Sequence, residues 1–352
     1  MGKIQQKKRL LYIDILNIIA CMCVIFMHCN GIAHQYSDTT AWRQSMVIET
    51  IAYWAVPVYF MISGATLMDY RDKYLTRVFF KKRFLKTGIP FVAWTLISLA
   101  YKIQFQQMEF KPGLSSIVSL FTNTTAENVY WFFIPLFMVY LSMPVLSLLK
   151  DYKHILLYMS GLAFLVYSVY PVCCIVFQIP MNGSFQIPVA GGYILYVILG
   201  YLLATTDMTR KTRIFLYILG FAGAGIRFGS TILGSSESAG LEQTFWGYMK
   251  FPAVFLAVGA FVAAKYGPWD KLESTPKIRR IVTTLAGTGF GVYLMQYDRF
   301  SNPSGCNGPW HGVRVVAVCY AVCDLWNLCG TGTDSEKDSG TEIHRSVNGT
   351  LE

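Results

Sequence analysis

Three polar residues stand on a segment that is otherwise almost wholly apolar: Leu10-Leu-Tyr-Ile-Asp14-Ile-Leu-Asn17-Ile-Ile-Ala-Cys-Met-Cys-Val-Ile-Phe-Met-His28. At about 100° per residue, a helix brings Asn17 to within about 20° of His28, and Asp14 to within about 40° of it. All three share one stripe, with Asn17 and His28 about 16 Å apart along the axis. Neutral imidazole is the natural proton acceptor near neutral pH. A histidine at the end of such a helix could deprotonate a sugar hydroxyl or promote attack on a thioester. The alternative is that Asp14 is interfacial and His28 caps the helix at the far surface, and residue type leaves both open. No GxSxG elbow, HExxH, phosphate-binding loop or GxGxxG motif occurs. His28 and His34 have no acidic partner at ligand spacing, and Cys21, Cys23 and Cys29 read as small core residues, so no metal is expected.

What must hold this stripe is a membrane bundle. The 352 residues are 54% hydrophobic and only 14% charged, with mean hydropathy +0.41. Soluble domains average about 25% charged residues, so an ordinary soluble enzyme is disfavoured, and disordered or collagen-like chains are excluded. The nine cysteines make no close pair of the CxxC type, so neither a zinc ribbon nor a disulfide scaffold is indicated. A helix needs about 20 mostly apolar residues to cross the hydrocarbon. The predicted spans are roughly 10–29, 46–68, 86–103, 130–149, 154–170, 189–205, 213–233, 245–264 and 281–297, with a marginal tenth at 312–329. The seventh is the weakest, being glycine-rich and interrupted by Arg227. The expected fold is therefore all-α, a polytopic transmembrane bundle of nine to ten spans.

The basic residues give this bundle a direction. Lys3 to Arg9, Arg71 to Lys86, Lys150 with Lys153, Arg210 to Arg213, and Lys265 to Arg280 fall in loops on one predicted side. They number twenty-one, against five on the other: Arg43, Lys102, Lys111, Arg227 and Lys250. Basic loops favour the cytoplasm, so the N-terminus is expected inside. The net charge of +10 is then a topology signal, and no nucleic-acid partner is expected; the partner is the lipid bilayer of the cell membrane.

Several stretches, taken together, resemble the membrane-bound acyltransferase family type 3. They are Tyr12-Ile-Asp14 with Ala20 through His28, and Val56-Pro57-Val-Tyr-Phe-Met-Ile-Ser63-Gly64. Lys81-Lys82-Arg83-Phe-Leu-Lys-Thr-Gly-Ile-Pro90, Tyr130-Trp131-Phe-Phe with Pro144, Tyr193 to Tyr201, and Gly289-Phe-Gly-Val-Tyr293 follow in order. The resemblance implies about ten transmembrane helices. It also implies transfer of an acyl group, often acetyl, from a cytoplasmic acyl-coenzyme A to a hydroxyl of a cell-surface or exported glycan, with no bound cofactor. It places the family histidine at His28 and a donor-side basic residue at Arg83, where a guanidinium can bind oxyanions bidentately; a positive-inside anchor is the alternative. Asp14 and Asn17 would line the path between donor and acceptor. Tyr130 and Trp131 are candidates for stacking an acceptor or for anchoring at the interface.

The chain departs from the family pattern twice. Asn17 occupies a place where many members carry Arg or Lys, and Gln296 stands where the family usually has histidine after the Gly-Val-Tyr-Leu pattern. Residues 1–297 read as one membrane acyltransferase domain. Residues 298–352 hold four of the nine cysteines and end in a polar stretch, so they read as an atypical tail: either altered in frame shortly after Met295 or simply variable. Two other readings remain for the whole chain: a transporter or flippase for lipid-linked sugars, for which the polar break at Pro171–Pro188 would suit, and a catalytically impaired family member.

Overall fold

The computed structural model describes residues 10–187 and 191–294. Every regular element among them is helical, as a chain must be when lipid offers no partners for its backbone groups. The order is α1 (Leu11–Cys29), α2 (Thr40–Ala52), α3 (Ala55–Leu67), α4 (Thr76–Arg83), α5 (Ile89–Gln106), α6 (Leu114–Thr122) and α7 (Phe133–Leu146). Then come α8 (Lys153–Phe164), α9 (Tyr170–Val176), α10 (Ile194–Thr205), α11 (Arg210–Ser238), α12 (Phe251–Lys265), α13 (Asp270–Ser274) and α14 (Pro276–Leu294). Six segments among the described residues are long and apolar enough to cross a bilayer: Leu11–Cys29, Thr40–Asp72, Thr76–Gln106, Asn128–Leu149, Lys153–Val176 and Arg210–Ser238. α10 and α12 are apolar but shorter.

Local chemistry sets where these segments begin. Thr39 caps α2 by accepting a hydrogen bond from the Trp42 amide at 3.2 Å, so the second segment starts six residues before the hydropathy edge at 46. α4 runs into α5 through one π-helical turn, Phe84–Gly88, which carries the third segment back from 86 to Thr76. The seventh segment, expected to be the weakest, is the longest single helix among the described residues, 29 residues from a Thr209 cap. Arg227 does not interrupt it, because that side chain is buried against partners on other elements. The sixth, expected from 189, becomes helical only at Ile194. Gln296, the marginal span at 312–329 and the whole of 298–352 lie outside the described residues.

Packing is tightest where glycines let two backbones meet. A Cβ on Gly64 of α3 would lie 1.9 Å from the Val197 carbonyl oxygen, and one on Gly200 of α10 would lie 2.1 Å from the Met61 oxygen. The two helices thus cross through reciprocal glycines, as apolar helices do when van der Waals contact must replace a hydrophobic drive. Gly220 of α11 and Gly259 of α12 form a second such crossing. Pro144 cannot donate within α7, and the end of that helix is closed from outside. Arg71 donates from Nη2 to the Pro144 carbonyl at 3.0 Å and from Nε to the Ser147 hydroxyl at 2.8 Å. The outward faces carry large apolar side chains such as Ile218, Phe221, Leu157 and Leu233, as a lipid-facing surface requires.

Candidate functional site

The polar stripe of α1 is met by α14. Asn17 Nδ2 donates to the Ala286 carbonyl at 2.9 Å, Cys21 Sγ donates to the Gly289 carbonyl at 3.5 Å, and Thr283 Oγ1 donates to Asp14 Oδ2 at 3.4 Å. These contacts climb both helices in register, three to four residues at a step. Asp14 is buried there against α14. Gly289 keeps α14 close to Cys21; a Cβ there would sit 3.7 Å from its sulfur.

One cavity of about 190 Å³ opens along this seam, and its lining includes both Asn17 and His28. Seven of its other lining residues are aromatic, from Tyr59 on α3 to Tyr293 on α14, with Trp131, Tyr140 and Tyr248 between them. The polar remainder is Ser63 and Thr87, and no Asp, Glu, Lys or Arg lines it among the described residues. Tyr59 donates its hydroxyl to the Asn17 carbonyl at 3.4 Å, tying α3 to the middle of α1. The lining presents an imidazole among ring faces and hydroxyls. Ligand pockets typically have this character, mostly apolar with a few placed polar groups.

Arg83 stands just beyond the cavity's Tyr140 wall. Its Cζ is 5.8 Å from the Tyr140 ring centroid and 5.9 Å from that of Phe79, and its buried Nε has no hydrogen-bond partner. Thr87, one turn further along the π-helical link, reaches the cavity itself. Lys81 and Lys82 are exposed, Lys82 lying 4.0 Å from the Tyr74 ring.

The two neighbours Tyr130 and Trp131 part company. Trp131 lines the cavity and stacks on Tyr248 with centroids 5.6 Å apart and planes 14° apart. Tyr130 lies behind the wall, almost fully buried, and donates its hydroxyl to the Leu294 carbonyl at 2.6 Å. Tyr293 donates to the Val129 carbonyl, so two tyrosines fasten the end of α14 to the turn before α7. Tyr248 arrives on the loop after α11. There Glu242 accepts from the Thr244 amide at 2.6 Å, and the Thr244 hydrogen bonds hold its carboxyl below the usual range.

Sequence reasoning left out Tyr59, Tyr248 and Phe290, and also an ion pair between Arg227 and Glu49, 3.8 Å apart and buried. Two opposite charges within separate predicted spans were a usable signal for the pair. Tyr59 and Phe290 stood within the family-like stretches with no role attached, and Tyr248 carried no mark. Among the described residues, no three of His, Cys, Asp and Glu converge as a metal site.

These features define an α-helical membrane protein with an aromatic, histidine-containing cavity. The acyltransferase-domain family, of type 3, matches residues 10–324. That is most of the chain, and the protein belongs to this family of membrane acyltransferases. No curated protein and no solved structure matches it.

Proposed function

We propose that the protein is an integral membrane O-acyltransferase that moves an acyl group, most simply acetyl, from a cytoplasmic acyl-coenzyme A to a hydroxyl of a cell-surface or exported polysaccharide. The observation that carries this reading is the cavity that takes in His28, Asn17 and Trp131 together, with Arg83 against its far wall. In this reading the bundle has nine to ten spans, the N-terminus and Arg83 face the cytoplasm, and His28 lies toward the outer side of the cell membrane. The asymmetric placement of basic loops supports that orientation.

The chemistry balances with the residues at hand. The imidazole of His28 accepts the proton of the acceptor hydroxyl as its oxygen attacks the thioester carbonyl carbon. The C–S bond breaks, the new ester C–O bond remains, and the coenzyme A thiolate leaves and recovers a proton to become the thiol. Arg83, whose Nε lacks a hydrogen bond, supplies a charge for the donor's phosphates at the cytoplasmic mouth. Asn17 and Asp14 shape the path, and Trp131 offers a ring face to the acceptor. A neutral Asn17 already bonded to Ala286 brings no charge to the donor. This supports a secondary reading, in which the protein is a slow family member.

The test is transfer of radiolabelled acetyl from acetyl-coenzyme A to envelope glycan in membranes holding the wild type or His28→Ala. General base catalysis contributes about 10²–10⁴-fold, so the variant should lose at least about a hundredfold. Equal transfer by both proteins would remove His28 from the chemistry.

A further inference from the structure

Arg227 is buried in the interior of the bundle at 2% exposure, and what it touches is unusual for a cation. Its ion pair with Glu49 is 3.8 Å long, and neither Nη1 nor Nη2 makes a hydrogen bond. Its close contacts are ring faces: Cζ lies 3.4 Å from the Tyr53 centroid and 4.6 Å from that of Trp246. Cation–π contacts are strongest when desolvated, as here.

The Tyr53 ring passes the contact onward. It stacks on Tyr248 with centroids 4.4 Å apart and planes 17° apart, and Tyr248 stacks in turn on Trp131. The backbone holds the same column. Gly247, at φ +105°, makes the turn that delivers Tyr248, and its amide donates to the Tyr53 hydroxyl at 2.9 Å. A continuous column therefore runs from Arg227 through Tyr53 and Tyr248 to Trp131, and its last two members line the cavity.

We propose that Arg227 is a positioning residue for the Trp131–Tyr248 wall of the cavity. It fixes Tyr53 by its charge, and Tyr53 fixes the wall by stacking. Glu49 neutralises the cation without capturing it in hydrogen bonds, so the guanidinium stays on the rings. The consequence for an acceptor rests on the acyl-transfer reading: the wall orients the glycan, so losing the column weakens acceptor binding and spares the chemical step.

The test uses full-length protein labelled with 5-fluorotryptophan in lipid nanodiscs, with the ¹⁹F resonances of Trp131 and Trp246 assigned by their Phe variants. Removing Arg227 alone strands a buried charge, so the principal variant is the doubly neutral Arg227→Met/Glu49→Gln. Tyr53→Leu breaks the column one step later, and Tyr53→Phe keeps the ring. We expect the Trp131 resonance to move by more than its linewidth in the double variant and in Tyr53→Leu, and to move less in Tyr53→Phe, which keeps the ring and loses only the hydroxyl that accepts from the Gly247 amide. A Trp131 resonance that stays in place while that of Trp246, in direct contact with Arg227, moves would overturn the proposal.

Acetyl transfer to envelope glycan by the double variant is the second arm. Half-saturation should need about tenfold more glycan, the equivalent of one desolvated cation–π contact, with maximal rate within about twofold. A fall in maximal rate at unchanged half-saturation would also overturn it. Absence of transfer by the wild type would count against the acyl-transfer reading alone, since the ¹⁹F result decides the column without turnover.

Discussion

Replacing Gly64 by alanine should cost far more than a methyl group suggests. The added Cβ would meet the Val197 carbonyl oxygen at 1.9 Å, the Val197 carbonyl carbon at 2.8 Å and its Cα at 3.0 Å. All three are backbone atoms, so no side chain can swing away. Bringing the first contact out to 3.0 Å, the floor for real Cβ contacts, requires α3 and α10 to part by about 1.1 Å at their crossing. Overpacking of a rigid core costs about 1–3 kcal/mol, and a backbone clash belongs at the upper end, about 3 kcal/mol. Gly161→Ala is the matched control. It lies within α8, nothing stands within 4 Å of its added Cβ, and alanine in a helix is favoured over glycine by about 0.5–1 kcal/mol. Thermal unfolding in one detergent, followed by tryptophan fluorescence, should therefore move in opposite directions for the two variants. Because Tyr59 and Ser63 precede Gly64 on α3 and line the cavity, acetyl transfer should fall in Gly64→Ala and stay unchanged in Gly161→Ala. A Gly64→Ala protein as stable as the wild type would refute the close crossing and the wall built on it.

Other perturbations separate residues that stand side by side. Arg83→Ala should raise the acetyl-coenzyme A concentration for half-maximal transfer by about tenfold or more, since a hydrogen bond to a charged group is worth about 1.5–3 kcal/mol; initial rates across donor concentrations measure it, and an unchanged value would return Arg83 to a positive-inside anchor. Tyr130→Phe removes the hydrogen bond to the Leu294 carbonyl and should lower stability by about 1 kcal/mol with little change in transfer. Trp131→Ala should lower transfer as well as stability, because that ring both lines the cavity and stacks on Tyr248, and the pair is read by thermal unfolding beside transfer. Glu242 has a depressed carboxyl pKa because Thr244 hydrogen-bonds its charged form. Its stabilising contribution is present above the ordinary value of 4.5 and is lost as pH falls through the lower folded value. The fluorescence of Trp246, on the same loop, should change over that acidic range, and the change should vanish in Glu242→Gln.

Much of the frame was legible from periodicity alone. The α1 stripe followed from angular spacing, and α14 meets it at Asp14 and Asn17 and also at Cys21, which read as a small core residue. Hydropathy located the apolar segments but misjudged α11, because a window average counts Arg227 as a cost and has no view of Glu49 across the bundle. It also set the second and third segments too short, because a threonine cap and a π-helical turn extend a helix beyond its apolar run. Site residues divided in the same way. Asn17 and His28 share a helix, so their common face was calculable, whereas Tyr59 and Phe290 reach the cavity through helix crossings, and Tyr248 through a loop, that no spacing encodes. Tyr130 and Trp131 are adjacent in sequence and look alike there. The turn at Asn128–Phe132 sends one ring to the wall and the other behind it.

The central claim concerns an acyl group that crosses the bundle to His28, and a vectorial assay addresses it most directly. Purified protein would be reconstituted in sealed liposomes and its orientation fixed by protease accessibility of the loop between α12 and α14, which holds Lys271. Radiolabelled acetyl-coenzyme A would be supplied only on the face bearing that loop and de-O-acetylated envelope glycan only on the other. Label in alkali-labile ester on the glycan, lost with His28→Ala and absent when donor and acceptor share the glycan's face, is the predicted result. Ester formed equally by His28→Ala, or only when donor and acceptor share one face, would contradict it.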